Sequence, residues 1–187
     1  MKRLSKQERR DQLLATARRV VREEGADRLT LARLSERAGV SKPVVYDHFP
    51  SRSALLIELY RTVDAEQVQA LRTELARGRD LRETADVLAV AYIRCFLDTG
   101  GEWHAIGAAL EGSAEKVAVH HELLDGYVRL FASVLKPHSS LSPAELKRRC
   151  IGLVGAGEAL GAAMLRGVSG EQRAARSLAA LIEAACR

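Results

Sequence analysis

The sequence predicts an all-α protein, and three observations favour this fold class. The chain of 187 residues is rich in Ala, Leu, Arg and Glu, which are strong helix formers, and it holds only 4 Pro residues. Aromatic residues make up only 4% of the chain, and the β-branched or aromatic runs typical of strands are missing. Nearly every segment instead shows apolar residues at helical spacing. We therefore expect about nine helices, three of which form a small N-terminal domain.

Capping and breaking residues set the limits of the predicted helices. Ser5 and Glu8 form a capping box before the first helix, and Gly25 ends it. Thr30 and Ser41 cap the second and third helices. In chain order, the helices are expected over about residues 6–24, 31–38, 42–49, 52–77, 80–99, 102–111, 114–136, 143–166 and 169–187.

The later helices show the same kind of boundary signals. Ser51 caps the long fourth helix, and Asp80 opens the fifth. Ser142, Pro143 and Glu145 supply an N-cap, a proline in the first turn and a capping-box acid for the eighth helix. Ser169 is expected to begin the ninth helix, after a turn.

Charge divides the chain at the fourth predicted helix. Residues 1–52 hold 13 Lys and Arg against 7 Asp and Glu, a net of +6, whereas residues 53–187 have a net of −1. A concentrated basic region attracts a polyanion such as nucleic acid, although a solvated basic surface has the same composition. We expect a DNA-binding domain over residues 1–52 and an effector-binding and dimerisation domain over residues 53–187, linked by the fourth helix.

The second and third predicted helices, separated by a turn at Gly39, have the spacing of a helix-turn-helix. Val45 and Phe49 are four residues apart and are expected to face the core. The remaining side chains of the third helix point to solvent, where hydroxyl and cationic groups suit phosphates and Lys42 suits guanine. The residues expected to contact DNA are Thr30, Ser41, Lys42, Pro43, Val44, Tyr46, Asp47, His48 and Arg52.

The segment AGVSKPVVYDHFPSRSALL, residues 38–56, resembles the N-terminal signature of the TetR family of bacterial repressors. The resemblance covers about residues 8–60, and the rest of the chain is similar to the family only in helix count. It implies phosphate contacts by Thr30, Ser41, Tyr46, His48 and Arg52, and base contacts by Lys42, Pro43, Val44 and Asp47. Two positions depart from the family pattern, because Pro43 replaces a frequent glycine and Ala32 replaces a base-reading arginine of some members. A helical hairpin that binds protein is the alternative.

Small residues dominate the eighth predicted helix and indicate close approach of another helix. Burial against a partner would offset the roughly 1 kcal/mol that each Gly costs a helix relative to Ala. Two copies of the eighth and ninth helices would form a four-helix bundle, as is common in the family, and packing within one chain is the alternative. The residues expected at this dimer interface are Gly152, Gly155, Gly157, Gly161, Leu178, Leu181, Ile182 and Ala185.

A pocket for a small-molecule effector is expected among the fourth to eighth helices. Tyr92 and Phe96 share one helix face, although such pairs are more often core than pocket. Glu158 lies midway along an apolar helix and needs a polar partner. The candidate pocket residues are Tyr92, Phe96, Trp103, His104, Glu111, Tyr127, Phe131 and Glu158.

Other classes of function lack a sequence signal. Phosphate-binding loops, catalytic triad patterns and metal-ligand spacings are missing, so we expect no enzyme, no cofactor and no metal site. His120 and His121 point about 100° apart on a helix, which disfavours a shared ion. The 3 cysteines are scattered, and neither a signal peptide nor a membrane span is evident, so we expect a cytoplasmic protein with reduced thiols.

These features predict a homodimeric transcriptional regulator that binds operator DNA. We expect a repressor that a small-molecule effector releases from the operator by shifting the fourth helix. Control by a protein partner, or regulation without a ligand, is the alternative. The sequence leaves open the effector, the operator sequence, the regulated genes and the choice between repression and activation.

Overall fold

The computed structural model consists of α-helices joined by short turns. It describes residues 4–75, 79–97 and 114–187, together with Ile106 and Ala109, and no strand occurs in that part of the chain. Its eight α-helices are α1 (Lys6–Glu24), α2 (Leu31–Ala38), α3 (Lys42–Tyr46), α4 (Arg52–Leu75), α5 (Leu81–Arg94), α6 (Ala114–Leu135), α7 (Pro143–Leu165) and α8 (Glu171–Ala185). The all-α prediction is confirmed. The count is one below the predicted nine because the expected helix over residues 102–111 lies outside the described residues, apart from Ile106 and Ala109.

Local capping explains where most helices begin. The Ser5 hydroxyl accepts a hydrogen bond from the Glu8 amide, and the Glu8 carboxylate accepts one from the Ser5 amide. Asp80 and Glu83 form the same reciprocal pair at the start of α5. Each pair satisfies two of the amide groups that a helix N-terminus leaves without an intrahelical acceptor. The predicted capping box of α1 is therefore present, and α5 has one as well. At α7 the Ser142 hydroxyl accepts from the Glu145 amide as predicted, but the Glu145 carboxylate accepts from Arg148 and Arg149.

Three predicted helix boundaries are wrong. α3 ends at Tyr46 rather than at residue 49, because Asp47 and His48 form a turn. α5 ends at Arg94 rather than near residue 99, because the next residues tighten into a turn in which Leu97 N donates to the Arg94 carbonyl at 2.8 Å. α8 begins after Gly170 rather than at Ser169. The Ser169 hydroxyl donates to the Gly170 carbonyl, so it does not cap the helix.

Two compact units divide the chain, one over residues 1–64 with 99–119 and the other over residues 65–98 with 120–187. In the first unit, α1, α2, α3 and the first half of α4 share a core. Fully buried side chains of this core include Leu13, Leu34, Val45, Phe49, Leu55, Leu56 and Leu59. Burial of such side chains contributes about 1.5–3 kcal/mol each, which holds α1, α2 and α3 in place.

The second unit has a separate core built from the second half of α4 and from α5 to α8. α5 packs mainly against α8, and α8 also packs against α7. Buried residues of this cluster include Leu88, Ile93, Phe131, Cys150 and Leu178. Burial raises the pKa of the Cys150 thiol to about 11, so this cysteine is a protonated, unreactive core residue.

Candidate nucleic-acid interface

A left-handed turn at Gly39 joins α2 to α3. Gly39 has φ 64° and ψ 35°, a conformation that is strained for residues with a Cβ atom. The Val40 amide donates to the Ser35 carbonyl at 3.1 Å, which closes the end of α2. This turn reverses the chain within a few residues and sets α3 against α2, as a helix-turn-helix requires.

α3 has one buried face and one exposed face. Val45 and Phe49 are 0% and 1% exposed, whereas Tyr46 is 55% exposed. The outward positions, exposed except for the half-buried Val44, are Ser41, Lys42, Pro43, Val44, Tyr46 and Asp47. The structure therefore brings most of the predicted DNA-contacting residues to one surface, and places the two predicted packing residues beneath it.

Ser41 leaves its hydroxyl unused as a helix cap. The sequence predicted a side-chain cap, but no side-chain hydrogen bond is made at this N-terminus. Pro43 has no amide hydrogen to offer, and the Val44 amide donates to the Ser41 backbone carbonyl at 3.1 Å. Thr30, in contrast, caps α2 by accepting from the Arg33 amide at 3.0 Å. The Ser41 hydroxyl thus stays on the exposed surface, where a phosphate oxygen can accept from it.

Arg10 of α1 holds the end of α3 in place, a role that the sequence analysis missed. Its guanidinium donates to the His48 carbonyl at 2.9 Å and lies 4.8 Å from the centre of the Phe49 ring. The same guanidinium pairs with Glu58 of α4 at 3.2 Å. One cation therefore ties α1 to α3 and α4 through a hydrogen bond, a cation–π contact and an ion pair.

His48 is half-buried rather than fully exposed. Its Nδ1 atom is buried without a hydrogen-bond partner. Burial lowers the pKa of His48, and the nearby Arg10 and Lys6 cations lower it further. Because a buried N–H without an acceptor is costlier than an unpaired acceptor, we infer that the neutral ring carries its proton on Nε2. Only Nε2 then remains as a donor for a phosphate.

Arg52 makes contacts inside the protein that the sequence did not suggest. Its Nε donates to the Leu29 carbonyl at 2.7 Å, and its Nη2 donates to the Ala26 carbonyl at 2.9 Å. These carbonyls flank a short 3₁₀ turn, Ala26–Arg28, between α1 and α2. Arg52 therefore fastens the start of α4 to this turn, and two of its donor atoms are already engaged. Its contact with a phosphate stays a prediction.

The candidate effector residues that the structure describes lie together in the second unit. The Tyr92 ring lies 5.1 Å from Tyr127, 5.6 Å from Phe131 and 6.1 Å from Phe96, centre to centre. The Tyr92 hydroxyl donates to the Glu158 carboxylate at 3.0 Å. Glu158 thus has the polar partner that is expected for a carboxylate on an apolar helix. The other three candidates, Trp103, His104 and Glu111, lie outside the described residues.

Two glycines predicted at the dimer interface are covered by aromatic rings of the same chain. A Cβ atom at Gly157 would lie 2.5 Å from Cε1 of Tyr92, and one at Gly161 would lie 2.6 Å from the Phe96 ring. These distances are too short for a real side chain, so Gly157 makes room for the Tyr92 ring of α5 and Gly161 for the Phe96 ring just after α5. For Gly157 and Gly161 the predicted partner contact is wrong, and the alternative of packing within one chain is correct.

Other predicted interface residues divide into buried and open positions. Leu178 and Ile182 are 0% exposed because they belong to the core of the second unit, so they too face their own chain. Ala185 is half-buried. Leu181 is 46% exposed. Gly152 and Gly155 are exposed, and no atom lies within 4 Å of an added Cβ at either position. Leu181, Gly152 and Gly155 therefore remain open to a partner helix.

No group of three or more metal-ligating side chains occurs within the described ranges. None of the described helices is both long and apolar enough to cross a membrane.

α2, the turn at Gly39 and α3 form a helix-turn-helix, and α3 has an exposed face. Residues 13–59 match the family model of the bacterial regulatory proteins of the tetR family. This match assigns the helix-turn-helix region, residues 13–59, to the TetR family.

Curated relatives match this chain over part of their length. The chain is 41% identical over 88 residues to the HTH-type transcriptional activator FasR of Mycolicibacterium smegmatis, covering 45% of this chain and 40% of that protein. It is 36% identical over 76 residues to the nucleoid occlusion factor SlmA of Vibrio campbellii, covering 40% and 37%. The matched region thus spans less than half the length of these curated relatives. Neither is named for a catalytic activity.

Solved structures match the fold over nearly the whole chain. The fatty acid degradation regulator FadR of Bacillus halodurans has a TM-score of 0.67 and 18% identity, covering 98% of this chain and 97% of that one. A TetR-like transcriptional regulator from Rhodococcus sp. RHA1 has a TM-score of 0.62 and 23% identity, covering 96% of each chain. At such identities the likeness shows the fold alone.

Proposed function

We propose that this protein is a homodimeric repressor that binds operator DNA through α3 and is released from it by a small-molecule effector. The amphipathic structure of α3 is the observation that carries the proposal. Val45 and Phe49 are buried beneath it, while Lys42, Tyr46 and Asp47 are exposed. A short helix held by its apolar face, with polar side chains outward, is the kind of element that enters a DNA major groove.

Each outward residue of α3 is assigned a contact by its chemistry. Lys42 donates to guanine, and the Pro43 ring and the Val44 methyl groups touch thymine methyl groups. Asp47 is repelled by phosphates and accepts instead from a cytosine amine. The hydroxyl groups of Ser41 and Tyr46 donate to phosphates, as the Thr30 hydroxyl and the His48 Nε2 do from the flanks of the surface. Arg52 acts mainly by positioning α4, with its remaining donor directed to a phosphate.

Two substitutions distinguish a base-reading residue from a phosphate-binding residue. We expect Lys42→Ala to weaken binding to the preferred operator by about 1–3 kcal/mol while binding to unrelated DNA changes little, because a base contact carries sequence preference. Tyr46→Phe should weaken all sequences alike, because a phosphate contact carries none. Fluorescence anisotropy at one fixed salt concentration measures both, after the operator has been selected from random DNA. Equal weakening of every sequence by Lys42→Ala would rule out its base-reading role.

The proposed dimer interface uses the exposed small and apolar positions of α7 and α8. Gly152, Gly155 and Ala159 lie on an exposed stripe of α7, and Leu181 and Ala184 are exposed on α8. Close approach of two such stripes gives a four-helix bundle between two copies. A two-fold dimer would present two α3 helices to half-sites about one DNA turn apart, roughly 34–36 Å, in a palindromic operator.

A charge placed in this interface should separate the protomers. Leu181→Glu is expected to convert the dimer to a monomer and to weaken operator binding by about tenfold or more, because a monomer engages one half-site. Leu97→Glu is the matched control, since Leu97 is also 46% exposed but lies after α5. Light scattering coupled to size-exclusion chromatography measures the mass. A dimeric Leu181→Glu variant, or a monomeric Leu97→Glu variant, would contradict the proposed interface.

Effector control draws support from the second unit. A groove of about 620 Å³, large enough for a small organic molecule, lies between α4 and α5. α4 contributes to both units, so we propose that a shift of its C-terminal half on effector binding changes the spacing of the two α3 helices. The sign of regulation is measured with a promoter reporter, because the related FasR is named an activator. Release of the operator by a protein instead of a small molecule would favour control by a protein partner.

A further inference from the structure

Glu58 of α4 pairs with the same cation that holds the residues after α3. Its Oε1 atom lies 3.2 Å from Nη2 of Arg10, while Nη1 of Arg10 donates to the His48 carbonyl at 2.9 Å. The same guanidinium lies 4.8 Å from the centre of the Phe49 ring. Arg10 therefore has one partner on α4 and two partners in the segment that follows α3.

The segment after α3 is bonded in turn to α3 itself. The His48 and Phe49 amides both donate to the Val45 carbonyl, at 3.1 and 2.9 Å. Val45 is buried in α3, and the next residue, Tyr46, is 55% exposed on the proposed DNA-binding surface. A displacement of Arg10 therefore moves the His48 carbonyl and, through these hydrogen bonds, the end of α3.

The carboxylate of Glu58 fixes the direction of the Arg10 guanidinium. The Arg10 and Glu58 side chains are 31% and 33% exposed, so water competes for the guanidinium donors. A guanidinium has five N–H donors, and an anionic partner binds them more strongly than a neutral carbonyl does. Because exposed ion pairs contribute little to stability, the fold itself does not depend on this pair.

We propose that Glu58 is a positioning residue for DNA binding, which acts on α3 through Arg10. An anionic side chain is repelled by phosphates, so Glu58 does not act as a DNA contact. It lies six residues after Arg52, the first residue of α4, or about 9 Å along the helix. A displacement of α4 at this point moves Arg10 and, with it, the end of α3. The inference rests on the proposed function, because it assigns the contact by which α4 acts on the DNA-binding helix.

Removal of the Glu58 charge has opposite expected effects for a bulk charge and for a positioning residue. The loss of a bulk negative charge strengthens DNA binding, because less charge repels the phosphates. The loss of a positioning residue leaves Arg10 without its anionic partner, so Glu58→Gln should weaken operator binding about three- to tenfold. Fluorescence anisotropy with the selected operator at one fixed salt concentration measures the change. Unchanged or tighter operator binding by Glu58→Gln would overturn the proposal.

Glu36→Gln is the matched control for the lost charge. Glu36 also forms an ion pair of 3.2 Å, with Arg33, but both residues lie on α2, and Arg33 keeps Glu24 as a second partner. This variant removes the same charge from the same domain, and its operator binding should be equal to that of the wild type or tighter. Equal weakening by Glu36→Gln and Glu58→Gln would contradict a specific role of Glu58.

A second substitution tests whether Glu58 acts through Arg10. Arg10→Met keeps an unbranched side chain next to the Phe49 ring, but it has neither the charge nor the donors. In this background Glu58→Gln should no longer weaken operator binding, because the residue through which it acts is gone. An undiminished loss of affinity in the double variant would overturn the proposal.

Hydrogen exchange of the DNA-free protein separates this inference from the proposed function. Glu58→Gln should speed exchange of the Phe49 amide several-fold, while the amide of the buried Val20 in α1 keeps its rate. Equal acceleration at both amides, or none at Phe49, would count against the positioning role. If the wild-type protein binds no DNA, the proposed function fails, and the exchange rates still decide whether Glu58 positions the end of α3. If the wild type binds its operator and Glu58→Gln changes neither affinity nor exchange, only this inference fails.

Discussion

Phe49→Ala is expected to lower the free energy of unfolding by about 3–5 kcal/mol, the usual cost of removing a buried aromatic ring. Phe49 is 1% exposed, and its ring lies 4.8 Å from the Arg10 guanidinium. The cavity left by the ring would also free Arg10, which holds the end of α3 through the His48 carbonyl. We therefore expect operator binding to be lost together with stability. Urea unfolding followed by far-ultraviolet circular dichroism measures the change.

Tyr46→Ala is the matched control for Phe49→Ala. Tyr46 is an aromatic residue three positions before Phe49, at the end of α3, but it is 55% exposed. Its replacement should change the free energy of unfolding by no more than about 0.5 kcal/mol, as exposed substitutions usually do, while DNA binding weakens. If the two variants lost the same stability, α3 would not have the orientation that its DNA-binding role requires.

Features that depend on a few neighbouring residues could be predicted from the sequence. Each capping box, Ser5 with Glu8 and Asp80 with Glu83, lies within four consecutive residues of the sequence, and the structure contains both. The turn at Gly39 depends on one residue that tolerates a left-handed conformation. The amphipathic pattern of α3 likewise depends on spacing alone. Local chemistry was therefore sufficient to predict the helix-turn-helix and its exposed face.

Partners that lie far apart in sequence could not be predicted in this way. Arg52 donates to carbonyls 23 and 26 residues before it, and backbone carbonyls carry no residue-specific signal. Arg10 is one of the 13 basic residues of positions 1–52, and its partners in the structure are His48, Phe49 and Glu58. A count of positive charges predicts attraction to DNA, but it does not tell which cations the protein itself uses.

The glycines of α7 illustrate the same limit. Small residues indicate that something approaches closely, yet the sequence does not say which helix approaches. Gly157 and Gly161 are four residues apart on one face and receive the rings of Tyr92 and Phe96, whereas Gly155 faces open space. One helix thus carries small residues for two purposes, its own core and the proposed partner, and only long-range packing distinguishes them.

Gly157→Ala is expected to destabilise the second unit by about 1–3 kcal/mol, the usual cost of overpacking a core. A Cβ atom at this position would lie 2.5 Å from Cε1 and 2.7 Å from Cδ1 of Tyr92. The Tyr92 ring cannot move freely, because Tyr127 and Phe131 lie against it and its hydroxyl is bonded to Glu158. Thermal unfolding followed by calorimetry measures the loss of stability.

Gly155→Ala, on the same helix, is expected to have the opposite effect on the stability of the protomer. Nothing lies within 4 Å of an added Cβ at Gly155, so this substitution should raise stability by up to about 1 kcal/mol through helix propensity in the isolated protomer. If Gly155 also lies at the proposed dimer interface, the same methyl group should weaken the dimer, which is measured by the dilution dependence of mass. Similar losses of protomer stability in both variants would mean that Tyr92 does not fill the space above Gly157.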